Sequence, residues 1–254
     1  METNEYKQTE IGEIPKDWEV VKLGDIVNYD LGRTPARKEN NFWTNGNIPW
    51  VSIADMKDNI KIYFTKEMIT DYALKKVFRG RLVKKGTLLM SFKLTIGRTA
   101  FLGIDATHNE AIISIYPKKN ASDNYLYYYL PSIDYSLYKD RAIKGNTLNK
   151  SKLNKILIPL PPLQEQEKIA YVLSTIQEAQ EKTENYIKAF KEFKKSVMSY
   201  LFKYGAISKN EIDKVELKQT EIGEIPKDWE VVKLGDIVNY DLGRTPARKE
   251  NNFW

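Results

Sequence analysis

The sequence predicts an α/β (α+β) globular domain followed by one long coiled-coil-forming α-helix. Residues 17 to about 160 contain short β-branched and aromatic runs bounded by glycine, proline or asparagine, as strands usually are. After Pro162 the chain contains neither proline nor glycine until Gly205, and apolar residues recur there every seven positions. The first pattern is typical of a sheet-containing domain, and the second of a helix that pairs with another helix.

The composition indicates a globular protein of a reducing compartment. The 254 residues are 42% hydrophobic, which is enough to build a core. The sequence has no cysteine, which excludes disulfides, a thiolate nucleophile and a cysteine zinc site. The polar first twenty residues and the short apolar runs predict neither a signal peptide nor a membrane span. We therefore expect a cytoplasmic protein.

Positive charge is concentrated in two stretches of a chain whose net charge is only +6. Residues 139–155 contain six basic residues and one acid, and no acid occurs from Tyr72 to Ile104. A face that gathers these charges would attract a polyanion such as nucleic acid. A solvated lysine-rich face explains them equally well. The basic residues of the acid-free stretch are Lys75, Lys76, Arg79, Arg81, Lys84, Lys85, Lys93 and Arg98.

Two local patterns predict short elements within the globular domain. In EIPKDWEVVKLGDIV, we expect a proline-led turn, a strand around Trp18 to Leu23, and then a short turn or helix. In SDNYLYYYLPS, we expect a short helix that Pro131 ends.

The proline-free stretch predicts a dimerisation helix. From about residue 165 to 203 it would be on the order of 58 Å long. Its charged outer face argues against DNA binding, and no helix of similar length is predicted elsewhere to cover its apolar side. An antiparallel two-fold homodimer is the simplest solution, and folding back onto the chain's own domain is the alternative. The predicted interface residues are Ile169, Val172, Leu173, Ile176, Ala179, Thr183, Tyr186, Ile187, Phe190, Phe193, Val197, Tyr200 and Leu201.

Residues 7–43 return unchanged as residues 218–254. The offset of 211 residues is a whole module of domain, helix and connector, far longer than a solenoid repeat. Folding alone would tolerate surface changes, so the identity indicates recent duplication or recombination. Two fates are open for the second copy: disorder, or competition with residues 7–43 for the same place by strand exchange within a dimer. We expect partial order.

The residues that catalysis would require are mostly missing. The sequence contains no Gly-Lys-Ser or Gly-Lys-Thr of a P-loop, no Asn-Pro-Pro-Tyr or Asp-Pro-Pro-Tyr motif and no glycine-rich loop for S-adenosylmethionine. Asp17, Glu19 and Lys22 lie close together, but this common spacing favours a charged strand edge over a nuclease site. His108 is the only histidine, and one imidazole is weak evidence for a metal or general-base site. We predict no catalytic and no metal-binding residues.

Three loops combine the residue types that contact DNA. Arginine and lysine suit guanine edges, asparagine suits adenine, and serine, threonine and lysine suit phosphates. The loops are GRTPARK, SFKLTIGR and KGNTLNKSK, although Thr-Pro and Gly-Asn are also ordinary turn sequences. The predicted DNA-binding residues are Arg33, Thr34, Arg37, Lys38, Ser91, Lys93, Thr95, Arg98, Lys144, Asn146, Thr147, Asn149 and Lys150.

The chain resembles the specificity subunit of Type I restriction-modification systems over essentially its whole length. The resemblance rests on TEIGEIPKDWEVVKLGDI, GRTPARKENNFWTNGNIPWVSIADM, KGTLLMSFKLTIGRTAF and, most specifically, GNTLNKSKLNKILIPLPPLQEQEKIAYVL. A full-length subunit of that family holds two modules in tandem. Each module has a target-recognition domain for one half of a split DNA site, followed by a conserved helix, and the two helices pack antiparallel as a spacer.

The resemblance implies a non-catalytic half-subunit with one complete module. Residues 1–160 would form the target-recognition domain, 161–204 the proline-rich entry and the dimerisation or spacer helix, 205–217 a connector, and 218–254 a truncated second copy of residues 7–43. Near its Asn-Glu-Ala-Ile sequence, His108 would have a structural or DNA-facing polar role. A two-fold dimer would recognise an inverted-repeat DNA target with a non-specific spacer.

The resemblance also implies partner subunits. A modification subunit would methylate adenine with S-adenosylmethionine, and a restriction subunit would use ATP to translocate and cut double-stranded DNA. Those cofactors and Mg²⁺ would belong to the partners, with none in this chain. Two rival interpretations remain at this point: a coiled-coil adaptor whose basic domain binds RNA or a protein, and an independent nuclease or methyltransferase.

Overall fold

The computed structural model describes residues 5–56, 61–138 and 148–243. The chain divides into two compact units, Met1–Glu178 and Ala179–Trp254. The strands of the first unit are β1 (Tyr6–Thr9), β2 (Gly12–Pro15), β3 (Glu19–Lys22), β4 (Val27–Leu31), β5 (Ile48–Val51), β6 (Lys61–Ile62), β7 (Glu67–Ile69), β8 (Leu88–Ser91), β9 (Thr99–Leu102), β10 (Thr107–His108), β11 (Ile112–Pro117) and β12 (Leu157–Leu160). Its helices are α1 (Leu23–Ile26), α2 (Asp71–Phe78), α3 (Asp123–Tyr129) and α4 (Lys150–Asn154), and α5 (Leu163–Tyr204) begins there.

The main sheet of the first unit has five strands in the order β4-β11-β8-β9-β6. Its neighbours are antiparallel except for β6 and β9, which are parallel. A three-stranded sheet has the order β10-β5-β7, and two-stranded pairs join β1 to β2 and β3 to β12. The mixed topology is that of an α+β domain.

The main sheet is buried on both faces. Side chains alternate across a strand, so Leu88 and Met90 pack in the larger core cluster with α3, whereas Leu89 packs in a second cluster on the other face. Ile113 and Ile112 of β11 divide between the same two clusters. Burial on both faces explains why these strands are nearly continuous apolar runs in the sequence.

The predicted turn, strand and short helix near the N-terminus are confirmed. β3 pairs antiparallel with β12, and Leu23 and Ile26 of the following α1 are buried in the larger core cluster. The Trp18 indole Nε1 donates a hydrogen bond to Glu165 Oε2 at 3.1 Å. The N-terminal segment therefore closes against the last strand before α5.

The predicted helix in SDNYLYYYLPS is confirmed as α3. Ser122 caps it, because its hydroxyl accepts a hydrogen bond from the Tyr125 N–H at 3.4 Å. Pro131 lies in the 3-10 turn Leu130–Ser132 that follows the helix. The proline thus marks the change from α-helix to a tighter turn.

The predicted long helix is also confirmed, and with it the fold class. α5 has 42 residues and a length of about 63 Å. Pro161 and Pro162 directly precede it, where the fixed backbone angle of proline suits the entry to a helix. No helix among the described residues is both long enough and apolar enough to cross a membrane.

A fully buried glutamine attaches the start of α5 to the domain. Gln166 Oε1 accepts a hydrogen bond from the Ser122 N–H at 2.8 Å. Its Nε2 donates to Asn120 O at 2.9 Å and to Pro161 O at 2.8 Å. The side chain has no exposed surface, and these three bonds satisfy its amide.

The second unit contains the remainder of α5, a 3-10 segment (Lys209–Lys214), the strands β13 (Leu217–Thr220) and β14 (Gly223–Pro226), and the short helix α6 (Leu234–Ile237). Lys203 at the end of α5 forms an ion pair with Glu224 of β14 at 2.8 Å. The described part of the second copy therefore contains an antiparallel hairpin and a helical turn, and residues 244–254 lie outside the described residues.

Replacing Gln166 by alanine should lower the free energy of unfolding by about 2–4 kcal/mol, because three hydrogen bonds are lost and their backbone partners stay buried. Urea unfolding followed by circular dichroism measures this change. Gln164 is exposed two residues earlier, and its alanine variant should change stability by less than about 0.5 kcal/mol. Equal losses in the two variants would show that the buried amide does not hold the start of α5.

Candidate nucleic-acid interface

Several loops leave the same end of the main sheet. β4 and β8 finish at this end while β9 and β11 begin there, since Leu31 pairs with Ile113 and Met90 pairs with Thr99. We use the name loop end for the segments attached here and for the segment hydrogen-bonded beside them. They are residues 32–38, 92–98, 108–111 and 148–150.

Backbone hydrogen bonds join the segments of the loop end. The Arg33 N–H donates to His108 O at 2.9 Å, and the Phe92 N–H donates to Ala111 O at 2.9 Å. The Leu148 N–H then donates to Phe92 O at 3.1 Å. The loops GRTPARK and SFKLTIGR and the described part of KGNTLNKSK, which are far apart in the sequence, are therefore neighbours in the structure.

The first loop follows β4. The Arg33 guanidinium donates to Val77 O at 2.9 Å, and the Thr34 hydroxyl donates to the Glu110 carboxylate. Lys38 is exposed. Arg33 and Thr34 therefore support the loop, whereas Lys38 is exposed and has no such bond to any described residue.

Arg37 has a dense set of contacts. Its guanidinium forms a two-pronged ion pair with Glu67, and this hydrogen bonding raises the pKa of Arg37. The same group lies 4.1 Å from the centre of the Trp43 ring and 4.8 Å from that of Trp50. Arg37 therefore fixes the loop against the three-stranded sheet while half of its side chain stays exposed.

Ser91 is buried, contrary to its prediction as a DNA contact. Its side chain has no exposed surface, its hydroxyl donates to Thr95 O, and it accepts a hydrogen bond from the Arg98 N–H at 3.1 Å. This side chain is not available to DNA. Instead it closes the turn between β8 and β9, a role that only tertiary burial reveals.

The turn between β8 and β9 contains two residues, Leu94 and Gly97, with positive φ angles. Leu94 has a φ of +64°, which is rare for a branched residue, and its side chain is 65% exposed. Thr95 Oγ1 is buried without a hydrogen-bond partner among the described residues. Gly97 has a φ of +90°, and a Cβ there would lie 2.4 Å from the Tyr135 ring. These features lie between Lys93 and Arg98, the two predicted cationic contacts of this turn.

The third predicted loop is described only in part. Asn149 caps α4, since its Oδ1 accepts a hydrogen bond from the Lys152 N–H at 2.9 Å. Lys150 is exposed, with its Nζ 6.0 Å from the centre of the Tyr29 ring. Three predicted contacts lie outside the described residues: Lys144, Asn146 and Thr147.

Two arginines beside the loop end were absent from the predicted contacts. Arg79 and Arg81 line a cavity of about 340 Å³ together with Arg33 and Asp30. Arg79 is the residue after α2 and adopts a left-handed backbone with a φ of +56°. Both arginines belong to the acid-free stretch, so their positive charge could be read from the sequence. Their position beside Arg33 depends on the turn after α2, and α2 was not predicted from the sequence.

His108 is a buried structural residue. It is 3% exposed in β10, which pairs with β5, and its Nδ1 lies 3.3 Å from Asn109 O. Burial lowers the pKa of its imidazole to about 4, against weaker opposing effects of Asp30 and nearby carbonyls. Within the described ranges, no three histidine, cysteine, aspartate or glutamate side chains are grouped to hold a metal.

The predicted dimer residues form an apolar stripe along α5. Ile169 packs against the larger core cluster, and Val197 and Tyr200 are half-buried. Phe190 and Phe193 are 69% and 65% exposed. The other exposed members of the stripe are Val172, Leu173, Ile176, Ala179, Thr183, Tyr186, Ile187 and Leu201.

The fold and the loop end define an α/β domain with a cationic loop surface and a long helical extension. The family model for the Type I restriction modification DNA specificity domain matches residues 15–192. The chain belongs to this family, and the resemblance predicted from the sequence is confirmed.

A curated relative is the Type I restriction enzyme MjaIX specificity subunit of Methanocaldococcus jannaschii. It is 33% identical over 98% of this chain and 58% of that protein. The chain spans about half the length of the curated relatives it matches.

Two solved structures share the fold. The HsdS subunit from Thermoanaerobacter tengcongensis has a TM-score of 0.52 at 22% identity, covering 68% of this chain and 40% of that chain. A chain from a structure on complex assembly and conformational transition of the type I R-M system has a TM-score of 0.53 at 23% identity, covering 73% and 46%. At these identities the likeness concerns the fold alone.

The burial of His108 predicts a pH dependence. The folded protein keeps the imidazole neutral down to about pH 4, whereas the unfolded chain protonates it near pH 6.5, so acidification through this window favours unfolding. Between pH 7 and pH 4.5, the wild-type chain should lose about 2.5 kcal/mol more unfolding free energy than His108→Gln. Urea unfolding at both pH values measures the difference. An identical pH dependence in the two proteins would show that the folded state protonates His108 normally.

Proposed function

We propose that this chain is the sequence-specific DNA-recognition subunit of a Type I restriction-modification complex and has no catalytic activity of its own. One observation carries the proposal. The loop end presents cationic side chains from three separate segments on one end of a rigid sheet. Membership of the DNA specificity domain family supports the same function.

The cations of the loop end suit a duplex in two ways. Lys38, Lys93, Arg98 and Lys150 form no ion pair with any residue that the structure describes, so their charge is available to phosphates or guanine edges. Arg33 and Arg37 contact the protein as well, so they also position the loop that carries them. A rigid arrangement of this kind favours recognition of sequence over simple charge attraction.

The apolar stripe on α5 supports dimerisation. Exposed side chains as large as Phe190, Phe193 and Tyr186 are unfavourable in water, and burying each contributes about 1.5–3 kcal/mol. The seven-residue period of the whole stripe matches a second α5 helix better than a sheet or a globular surface. An antiparallel pair buries identical stripes under two-fold symmetry.

Two-fold symmetry then sets the form of the DNA target. Two identical loop ends would recognise the two halves of a palindrome, separated by a spacer whose length depends on α5. The cytoplasmic modification and restriction subunits would supply adenine methylation, ATP-driven translocation and cleavage. S-adenosylmethionine, ATP and Mg²⁺ would bind to those partners.

Adenine methylation should appear in a two-part palindromic motif on genomic DNA from cells that express this chain with its cognate modification subunit. Lys93→Ala/Arg98→Ala should abolish the motif, because two phosphate or base contacts are lost. Lys188→Ala/Lys191→Ala removes two exposed charges from the outer face of α5 and should leave the motif unchanged. Methylation can be mapped by long-read sequencing.

An asymmetric motif would contradict the homodimer and retain DNA recognition. If no motif rises above that of cells lacking the chain, the DNA-recognition proposal fails in favour of an adaptor that binds RNA or a protein. Loss of the motif in both double variants would exclude a specific role for the turn between β8 and β9.

Ile176→Asp/Phe190→Asp should convert the dimer to a monomer, because each aspartate would place a charge in the paired stripe. Sedimentation equilibrium should give twice the chain mass of 29.6 kDa for the wild type and the single mass for this variant. Lys188→Asp/Lys195→Asp lies on the outer face and should remain dimeric. An unchanged mass for Ile176→Asp/Phe190→Asp would show that the stripe is not the interface.

A further inference from the structure

The helical turns α1 and α6 have the same sequence and differ in burial, whereas Ile14 and its equivalent Ile225 in the hairpins are equally buried. Leu23 and Ile26 of the first copy are 0% and 1% exposed. Their equivalents 211 positions later, Leu234 and Ile237, are 67% and 62% exposed. The same apolar side chains are therefore core residues in one copy and surface residues in the other.

The second copy already has most of the local structure of the first. β13 and β14 form the same antiparallel hairpin as β1 and β2, with Thr220 opposite Gly223 as Thr9 is opposite Gly12. α6 repeats the helical turn of α1. The second copy therefore has the same hairpin and helical turn that the first copy uses in the first unit.

The two copies differ in their strand pairing beyond the hairpin. In the first copy, Val20 of β3 pairs with Pro159 of β12, and the Leu23 N–H donates to Ile156 O at 2.8 Å. Residues 230–233, which correspond to β3, have no strand partner among the described residues. Since the two sequences are identical, β12 and the core beside it have no means of distinguishing one copy from the other.

We propose that residues 217–238 of one chain replace residues 6–27 in the first unit of a second copy of this chain. The exchange is reciprocal, so each chain completes the core of its partner. It rests on the proposed dimer, in which an antiparallel pairing brings the end of one α5 beside the start of the other.

Chain length favours a second chain over exchange within one chain. β12 directly precedes α5, which is about 63 Å long. The links from α5 to the hairpin and from the hairpin to residue 230 contain the 3-10 segment Lys209–Lys214, and with that segment intact they span about 50 Å. Residues 230–233 therefore do not reach β12 of their own chain while α5, the 3-10 segment and the hairpin stay intact.

A disulfide can report the exchange, because the chain has no cysteine of its own. Leu157 lies opposite Lys22 in the β3–β12 pair, and Lys233 is the equivalent of Lys22. Lys233→Cys/Leu157→Cys, in a chain whose first copy is weakened by Leu23→Asp/Ile26→Asp, should form a covalent dimer under an added oxidant. Non-reducing electrophoresis detects it.

Two control variants distinguish exchange between chains from a bond within one chain and from random collision. Lys22→Cys/Leu157→Cys in an otherwise unchanged chain should give a bond within one chain in the molecules that are not exchanged. Lys233→Cys/Lys85→Cys, in the same weakened chain, reports random collision and should give less than about a tenth of the dimer. If Lys233→Cys/Leu157→Cys gives no more dimer than this control, or a bond within one chain, the exchange is wrong.

Matched substitutions in the two copies give a second test. Leu23→Asp/Ile26→Asp should still unfold cooperatively as a dimer, with a midpoint that rises with protein concentration. Leu234→Asp/Ile237→Asp should match the wild type in unfolding, and the chain with all four substitutions should lose the cooperative transition. A first-copy variant that unfolds like the fourfold variant, or folds as a monomer, would overturn the exchange. A monomeric wild-type chain would instead refute the dimer.

Discussion

The pairing of β3 with β12 is the constraint on which the first unit depends. It joins Glu19–Lys22 to Leu157–Leu160, and it places α1 in the larger core cluster. The same pairing brings the chain to Pro161 and Pro162, where α5 begins and Gln166 attaches it to the domain. One antiparallel contact between distant parts of the sequence thus positions both the core and the helix.

The loop end follows from the burial of the main sheet on both faces. Because β8 and β11 are packed on each side, their ends are fixed, and the loops attached to them hold their positions. Ser91, Arg37 and Gly97 then restrict the loops by contacts within the protein. The exposed cations of these loops are therefore positioned by contacts within the protein, and Arg37 makes such a contact while half of its side chain stays exposed.

Local patterns predicted part of this fold, and tertiary contacts determined the rest. The seven-residue period and the absence of proline and glycine predicted α5 because both are properties of the helix itself. Ser91 and Lys93 were both predicted as DNA contacts, yet Ser91 is buried and Lys93 is not. Ser91 is the last residue of β8, which is covered on both faces, whereas Lys93 lies in the turn that follows. The role of Arg37 depends on Glu67, thirty residues away, and Arg79 depends on a turn after α2.

The β3–β12 contact also determines when the first copy can pair during protein synthesis. The strand Glu19–Lys22 has no partner until Leu160 has left the ribosome, which at 5–20 residues per second is a delay of roughly 7–30 s. Throughout that interval Leu23 and Ile26 are hydrophobic residues without a core. The nascent chain acquires its second copy only after β12 is available, so the first copy has a kinetic advantage. The domain therefore closes with its own first copy before a second copy of the chain can exchange with it.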